Sequence, residues 1–149
     1  MIGLLQRVSA ASVTVGNREI AAIGKGLLVL IGVQRGDGTA QAERLLTRLL
    51  SYRVWPDAAN KMNLCLREIN DGRGGGLLLV PQFTLAADTA KGTRASFTPA
   101  AEPEVARGLF DHLLKCARAA HPDVASGLFG ADMQVRLTND GPVTFLLKS

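Results

Sequence analysis

Cysteine is scarce in this 149-residue chain. There are two, Cys65 and Cys116, in separate apolar surroundings and outside any CxxC or other metal-ligand spacing. They read as packed thiols in a reduced, cytoplasmic protein, not as ligands or disulfide partners. Long apolar runs are missing as well. The stretch at residues 26–33 is too short to span a bilayer, and the opening MIGLLQRVSA has no hydrophobic run after a basic region. Neither membrane insertion nor export is expected. No run of basic residues forms a tail either. The net charge is +4, from 17 Lys and Arg against 13 Asp and Glu, so a nucleic-acid partner requires the fold to gather a basic patch.

Common catalytic signatures are also absent. GRGGG at residues 72–76 lacks the Lys-Ser/Thr ending of a phosphate loop and precedes a strand, so it reads as a permissive turn. No GxSxG elbow occurs. His112 and His121 lie within and at the end of a helical segment, outside any metal motif, where packing or solvation accounts for them. An enzyme built from this chain is expected to use neither a metal nor a redox cofactor, and to rely on positioning and backbone dipoles.

What is present suits a folded protein. The chain is 47% hydrophobic and 20% charged, enough for one domain over residues 1–149 with a sizeable core. Residues 4–8 and 12–15 read as a strand pair, and Gly16 and Asn17 as a tight turn into a strand at 18–23. Residues 27–33, apolar on both faces, suit a central strand covered on both sides. Thr39 caps a helix to Ser51 whose stripe is Ala42, Leu45, Leu46, Leu49 and Leu50. Residues 52–55 suit a short strand ending at Pro56, and 57–76 suit loops around an ordered piece at 62–69. Residues 77–80 form a compact strand. Pro103 opens a second helix towards His121 that buries Val105, Leu109, Phe110, Leu113, Leu114, Ala117 and Ala120, and Pro122 stops it. Met133, Val135 and Leu137 alternate with polar residues as in a half-exposed strand, and 143–147 supply a final one. This order predicts an α/β domain with two helices flanking a mixed sheet.

Two loops are candidates for chemistry. PQFTL, residues 81–85, leaves the 77–80 strand with an amide (Gln82), a small wall (Phe83) and a hydroxyl (Thr84). Pro81 has no N–H, so the backbones of Gln82 and Phe83 are the donors to consider. The competing reading places Phe83 in the core and continues the strand through Thr84. In NDGPVTF, residues 139–145, Gly141 permits close approach and Pro142 fixes a torsion. This is either an ordinary turn, in which X–Pro bonds are mostly trans, or a stiff main-chain clamp for an ammonium group. Phe129 and Met133 are pocket walls or packing residues. Lys91 and Arg94, in a polar KGTR loop, are phosphate contacts or solvated charges.

Taken in order, LLQRVSAASVTV, KGLLVLIGV, KMNL at 61–64, PQFTLAADTAKGTRASF at 81–97 and GLFGADMQVRLTNDGPVT at 127–144 carry a family likeness. The chain resembles the bacterial D-aminoacyl-tRNA (D-tyrosyl-tRNA) deacylases over nearly its whole length. The resemblance implies a three-layer α/β domain, a homodimer, and hydrolysis of the ester joining a D-amino acid to the 3′-terminal adenosine of tRNA. It implies aminoacylated tRNA as partner, with no DNA, membrane or cofactor. Gln82, Phe83 and Thr84 would form the catalytic region, with Thr84 positioning and the tRNA terminal 2′-OH assisting. Phe129 and Met133 would line the substrate pocket, and Lys91 and Arg94 would face tRNA phosphates. Asn139, Gly141 and Pro142 would build a Gly–cis-Pro element that crosses to the other subunit, admits D substrates and obstructs L ones. Achiral glycyl-tRNA would escape that exclusion. Pro81 stands where the family usually carries Ser, so that serine's side chain and N–H are lost here. The NxGPxT pattern is complete as Asn139, Gly141, Pro142 and Thr144. The competing readings are a related deacylase with a Pro-Gln motif that admits some L-aminoacyl-tRNAs, and a non-catalytic tRNA-binding dimer.

Overall fold

The computed structural model describes residues 1–149. Its elements are β1 (Ile2–Val15), β2 (Arg18–Ile23), β3 (Gly26–Gly32), α1 (Thr39–Ser51), β4 (Trp55–Pro56), β5 (Met62–Leu64), β6 (Gly76–Pro81), a 3-10 turn at Phe83–Ala86, α2 (Pro103–Ala120), β7 (Val124–Ser126) and β8 (Met133–Lys148). β1 runs antiparallel to β2, β3 and β8, whereas β3, β6 and β7 are parallel. The sheet is therefore mixed, as expected, and two helices flank it. No helix is long and apolar enough to cross a membrane.

Alternation along the central strands divides the interior in two. Leu27, Val29, Ile31, Leu77 and Leu79 join Leu45, Leu49, Phe110 and Leu113 of the helices in the larger buried cluster. Leu28, Leu78 and Val80 join Val13 and Ile23 in a second one, with Met133 and Val135 packed against it. The far halves of β1 and β8, together with β2, thus curl over the second face. Helices, central strands and curled strands make three layers.

Each helix is held by its stripe. α1 buries Ala42, Leu45, Leu46, Leu49 and Leu50, the five expected. At roughly 1.5–3 kcal/mol per large side chain buried, this packing outweighs the marginal stability of so short an isolated helix. Its cap differs from expectation. Gly38 is the N-cap and Thr39 the first helical residue, because the Gln41 side chain reaches back to accept the Gly38 N–H at 3.0 Å. In α2 the buried residues are Ala106, Leu109, Phe110, Leu113 and Ala117. Val105 is 53% exposed, Ala120 is exposed and Leu114 is half-buried. Pro103 sets the phase, and Val105 lies one residue off the stripe that this phase turns inward.

The strand pair expected at 4–8 and 12–15 is the single strand β1, and the two C-terminal strands are the single strand β8. Between the two stretches only Ser9 is a turn former, with no Gly, Pro, Asn or Asp beside it, and β8 pairs along nearly all of β1. The short strand expected at 52–55 is Trp55–Pro56, paired with β5. Beyond β1, no strand pairs with β8, which leaves Leu137, Phe145 and Leu146 exposed along that region.

Asp57 organises the β4–β5 connection. Its carboxylate accepts the Asn63 side-chain amide at 2.7 Å and the Ala59 and Lys61 N–H groups at 2.8 and 3.0 Å. The Asn63 bond, then the Lys61 bond, hold its carboxyl below the ordinary 3.8. A carboxyl lowered by folding stabilises the fold above its unfolded pKa, and that contribution fades as pH falls through the folded value. The urea midpoint of Asp57→Ala should trail the parent at neutral pH. The gap should narrow as pH drops below 3.8, and a gap constant with pH would contradict this account.

Candidate active site

β6 ends at Pro81, and the chain turns at once. The Gln82 N–H still donates to the Ile31 carbonyl of β3 at 2.7 Å, and the Leu85 N–H closes the 3-10 turn onto the Gln82 carbonyl at 3.2 Å. The Gln82 amide is therefore engaged by the sheet. Of the two donors expected, the Gln82 and Phe83 backbones, only Phe83 is left, and the Thr84 N–H, not foreseen as a donor, joins it, since both precede the first bond of the turn.

A cavity of about 490 Å³ opens at this strand end, walled by Pro81, Gln82, Phe83, Phe129 and Met133, with Ala106 of α2 and Asp132. Its mostly apolar lining and size suit a small organic group. Phe83 is 59% exposed and meets Phe97 at a tilt of 45°, with ring centroids 5.1 Å apart, so it is not a core residue. Phe129 lies under the Arg107 guanidinium, 4.8 Å from its ring centre. Thr84 stands beside the cavity, outside its lining. Its hydroxyl oxygen accepts the Gln82 side-chain amide at 2.5 Å, with no imidazole or carboxylate bonded to it. Arg107 lies in no motif, and Phe97 closes the 81–97 stretch without a role of its own in the sequence reading. Only their contacts with Phe83 and Phe129 mark them.

The second loop is a wide bulge on β8. Gln6 pairs with Thr144 and Val8 with Asn139, so Arg7 alone faces residues 140–143. The Gly141–Pro142 peptide is cis, and Gly141 has φ +129. Asn139 staples the base: its Nδ2 donates to Thr144 Oγ1 at 2.8 Å, and its Oδ1 accepts the Val143 N–H at 3.0 Å. The spacing of NxGPxT thus has a local cause, two residues pinning the base and two forming the apex. Arg7 holds the other side. Its Nε donates to the Asp140 carbonyl at 2.9 Å and lies 3.3 Å from the Asp140 carboxylate, and its Nη1 donates to the Val54 carbonyl at 2.5 Å. The sequence signal for Arg7 is an arginine between Leu5 and Val8 in a strand of the core.

The chain brings Gln82, Phe83, Phe129 and Met133 into one cavity. It does not bring Asn139, Gly141 or Pro142 there, and Gly141 and Pro142 are exposed. Lys91 and Arg94 lie on an exposed loop whose base is closed by paired Asp88 and Ser96, next to Phe97. Neither forms an ion pair within the chain.

The likeness to known proteins extends over nearly the whole chain. A family model described as D-Tyr-tRNA(Tyr) deacylase matches residues 4–148. The D-aminoacyl-tRNA deacylase of Thioalkalivibrio sulfidiphilus is 63% identical over 148 residues, covering 99% of this chain and 97% of that protein. The protein of the same name from Methylococcus capsulatus is 60% identical over 148 residues, covering 99% and 94%. Among solved structures, the c-Myc DNA Unwinding Element Binding Protein matches with a TM-score of 0.92 at 36% identity, covering 100% of this chain and 99% of that one. A probable eukaryotic D-amino acid tRNA deacylase matches with a TM-score of 0.82 over 99% and 98% of the chains, and at 19% identity this bears on the fold alone. With a family model spanning residues 4–148 and relatives at these identities, the chain belongs to the D-Tyr-tRNA(Tyr) deacylase family.

Proposed function

We propose that this chain hydrolyses the ester of D-aminoacyl-tRNA, with the aminoacyl group seated in the cavity at the end of β6. The observation that carries the reading is that cavity: apolar walls of Phe83, Phe129 and Met133, headed by the first amides of a 3-10 turn. Water adds to the ester carbonyl, and the Phe83 N–H steadies the negative charge that develops on its oxygen. The bond to the 3′-oxygen of the terminal adenosine then breaks, that oxygen takes a proton, and free D-amino acid and tRNA leave. The neighbouring 2′-OH assists the proton transfer. Lys91 and Arg94 face the tRNA phosphates, where charge fixes register without reading sequence.

Gly141 and Pro142 of the partner subunit complete the site. The 16-residue strand β8 pairs with β1 alone and exposes Leu137, Phe145 and Leu146. An unpaired region of that length favours association with a second copy. Main-chain oxygens of the bulge hold the substrate ammonium and leave no room for an L side chain, so selectivity comes from obstruction as well as attraction. A glycyl ester has no side chain to obstruct and is also cleaved.

The test is hydrolysis of D- and L-tyrosyl-tRNA at equal enzyme concentration. The D ester should be lost and the L ester retained, and duplex DNA should not compete. Equal rates would favour a deacylase that admits L substrates. Salt-dependent tRNA binding without ester loss would favour a binding module. Thr84→Ala should lose about tenfold in turnover if the hydroxyl only positions, against losses on the order of 10⁴ or more for a removed nucleophile.

A further inference from the structure

We propose that α1 and α2 hold a thiophilic divalent cation of the zinc class between Glu43, His112 and Cys116. His112 and Cys116 are four residues apart on α2 and share one face, and Glu43 meets them from α1. Their ligand atoms all lie within 4.8 Å of one another. The cluster converges on a single nitrogen: His112 Nε2 is 2.9 Å from Glu43 Oε1 and 3.6 Å from Cys116 Sγ. A neutral imidazole offers at that atom either one N–H or one lone pair. One proton serves only one of the two neighbours well, whereas a cation serves all three.

The spacing fits. Tetrahedral zinc, with bonds of about 2.0–2.1 Å to nitrogen and oxygen and about 2.3 Å to sulfur, separates its ligands by about 3.5 Å. The His112–Cys116 pair already stands at that separation. Glu43, its side chain 58% exposed, has room to move back from His112 by about half an ångström and to close on Cys116, the three ligand atoms lying within 4.8 Å of one another against about 3.5 Å around the metal. A thiolate, an imidazole and a carboxylate form a donor set that zinc favours, with water in the fourth position. Binding releases the Cys116 thiol proton to solvent and leaves the Nε2 lone pair on the metal. Glu43 and His112 are 69 residues apart in sequence, which is why cysteine and histidine spacing alone pointed away from a metal.

The site stands apart from the proposed chemistry. α2 gives Pro103 and Ala106 to the cavity, and His112 begins about 9 Å further along the helix. The cation ties the two helices together and takes no part in hydrolysis.

Titrating reduced, metal-free protein with cobalt(II), then displacing it with zinc(II), tests this without reference to activity. A thiolate-to-cobalt charge-transfer band should saturate at one equivalent, persist in Cys65→Ser and vanish in Cys116→Ser. Glu43→Gln and His112→Ala should each weaken binding by about tenfold or more. Zinc should raise the thermal midpoint of the parent and leave that of Cys116→Ser unchanged. The proposal is overturned by absence of the band, by its survival in Cys116→Ser, or by unchanged affinity in both other variants.

Discussion

Gly141→Ala should cut hydrolysis of D-tyrosyl-tRNA by about 10²-fold while the protein remains folded. A Cβ at this position would stand 2.8 Å from Arg7 Nη2 and 2.9 Å from Val143 Cγ2. Its φ of +129 also belongs to a region that costs a residue with a side chain about 1–3 kcal/mol. Arg7 is held by its bonds to the Asp140 and Val54 carbonyls, and the Val143 backbone nitrogen, 3.3 Å from the added Cβ, is held by Asn139. The apex of the bulge has to move instead, and with it the carbonyls proposed to grip the substrate. A shift of about 1 Å is enough for a loss of this size. The apex lies outside both buried clusters, so circular dichroism should stay parent-like. Single-turnover assays on the D and L esters check the result. Parent rates with parent selectivity would remove the bulge from the mechanism.

That variant depends on Arg7, and Arg7 shows where sequence stops informing. Its partner Asp140 is 133 residues away, and no local pattern connects them. What is legible is whatever repeats at one period. The α1 stripe and the apolar cores of β3 and β6 follow from their residue patterns, whereas Phe83, Phe129 and Met133 are open between core and pocket until the family likeness is added. Strand continuity is different. β1 changes neighbour from β3 to β2 along one side, yet β8 follows it on the other side throughout, so no break is needed between the two strands expected at 4–8 and 12–15. In β8 the breakers Gly141 and Pro142 do not end the strand. They are pushed out as a bulge because pairing resumes at Thr144 opposite Gln6. The Gln82 amide was equally hidden, since its use depends on how far β3 runs beside it.

Gly26→Ala should be the most damaging small substitution to the fold, lowering the thermal midpoint by about 10 °C. Gly26 faces Gly76 where β3 and β6 begin to run parallel. A Cβ there would lie 2.0 Å from the Gly76 carbonyl oxygen and 2.7 Å from its nitrogen. Both are backbone atoms, and the Gly76 N–H is already bonded to the Lys25 carbonyl at 3.1 Å. The strands must part or that bond must break. Overpacking of this kind costs about 1–3 kcal/mol, and a lost hydrogen bond adds about 1 kcal/mol. The damage also reaches the site, because β6 carries Phe83 at its far end and a rigid strand passes on a displacement of its start. Gly24→Ala is the control. Its Cβ would meet nothing within 4 Å, and the change should stay within about 0.5 kcal/mol. Two alanines placed two residues apart thus separate close strand approach from the general effect of replacing glycine. Equal midpoints would mean that β3 and β6 have room to part, and the placement of Phe83 would then not depend on their contact.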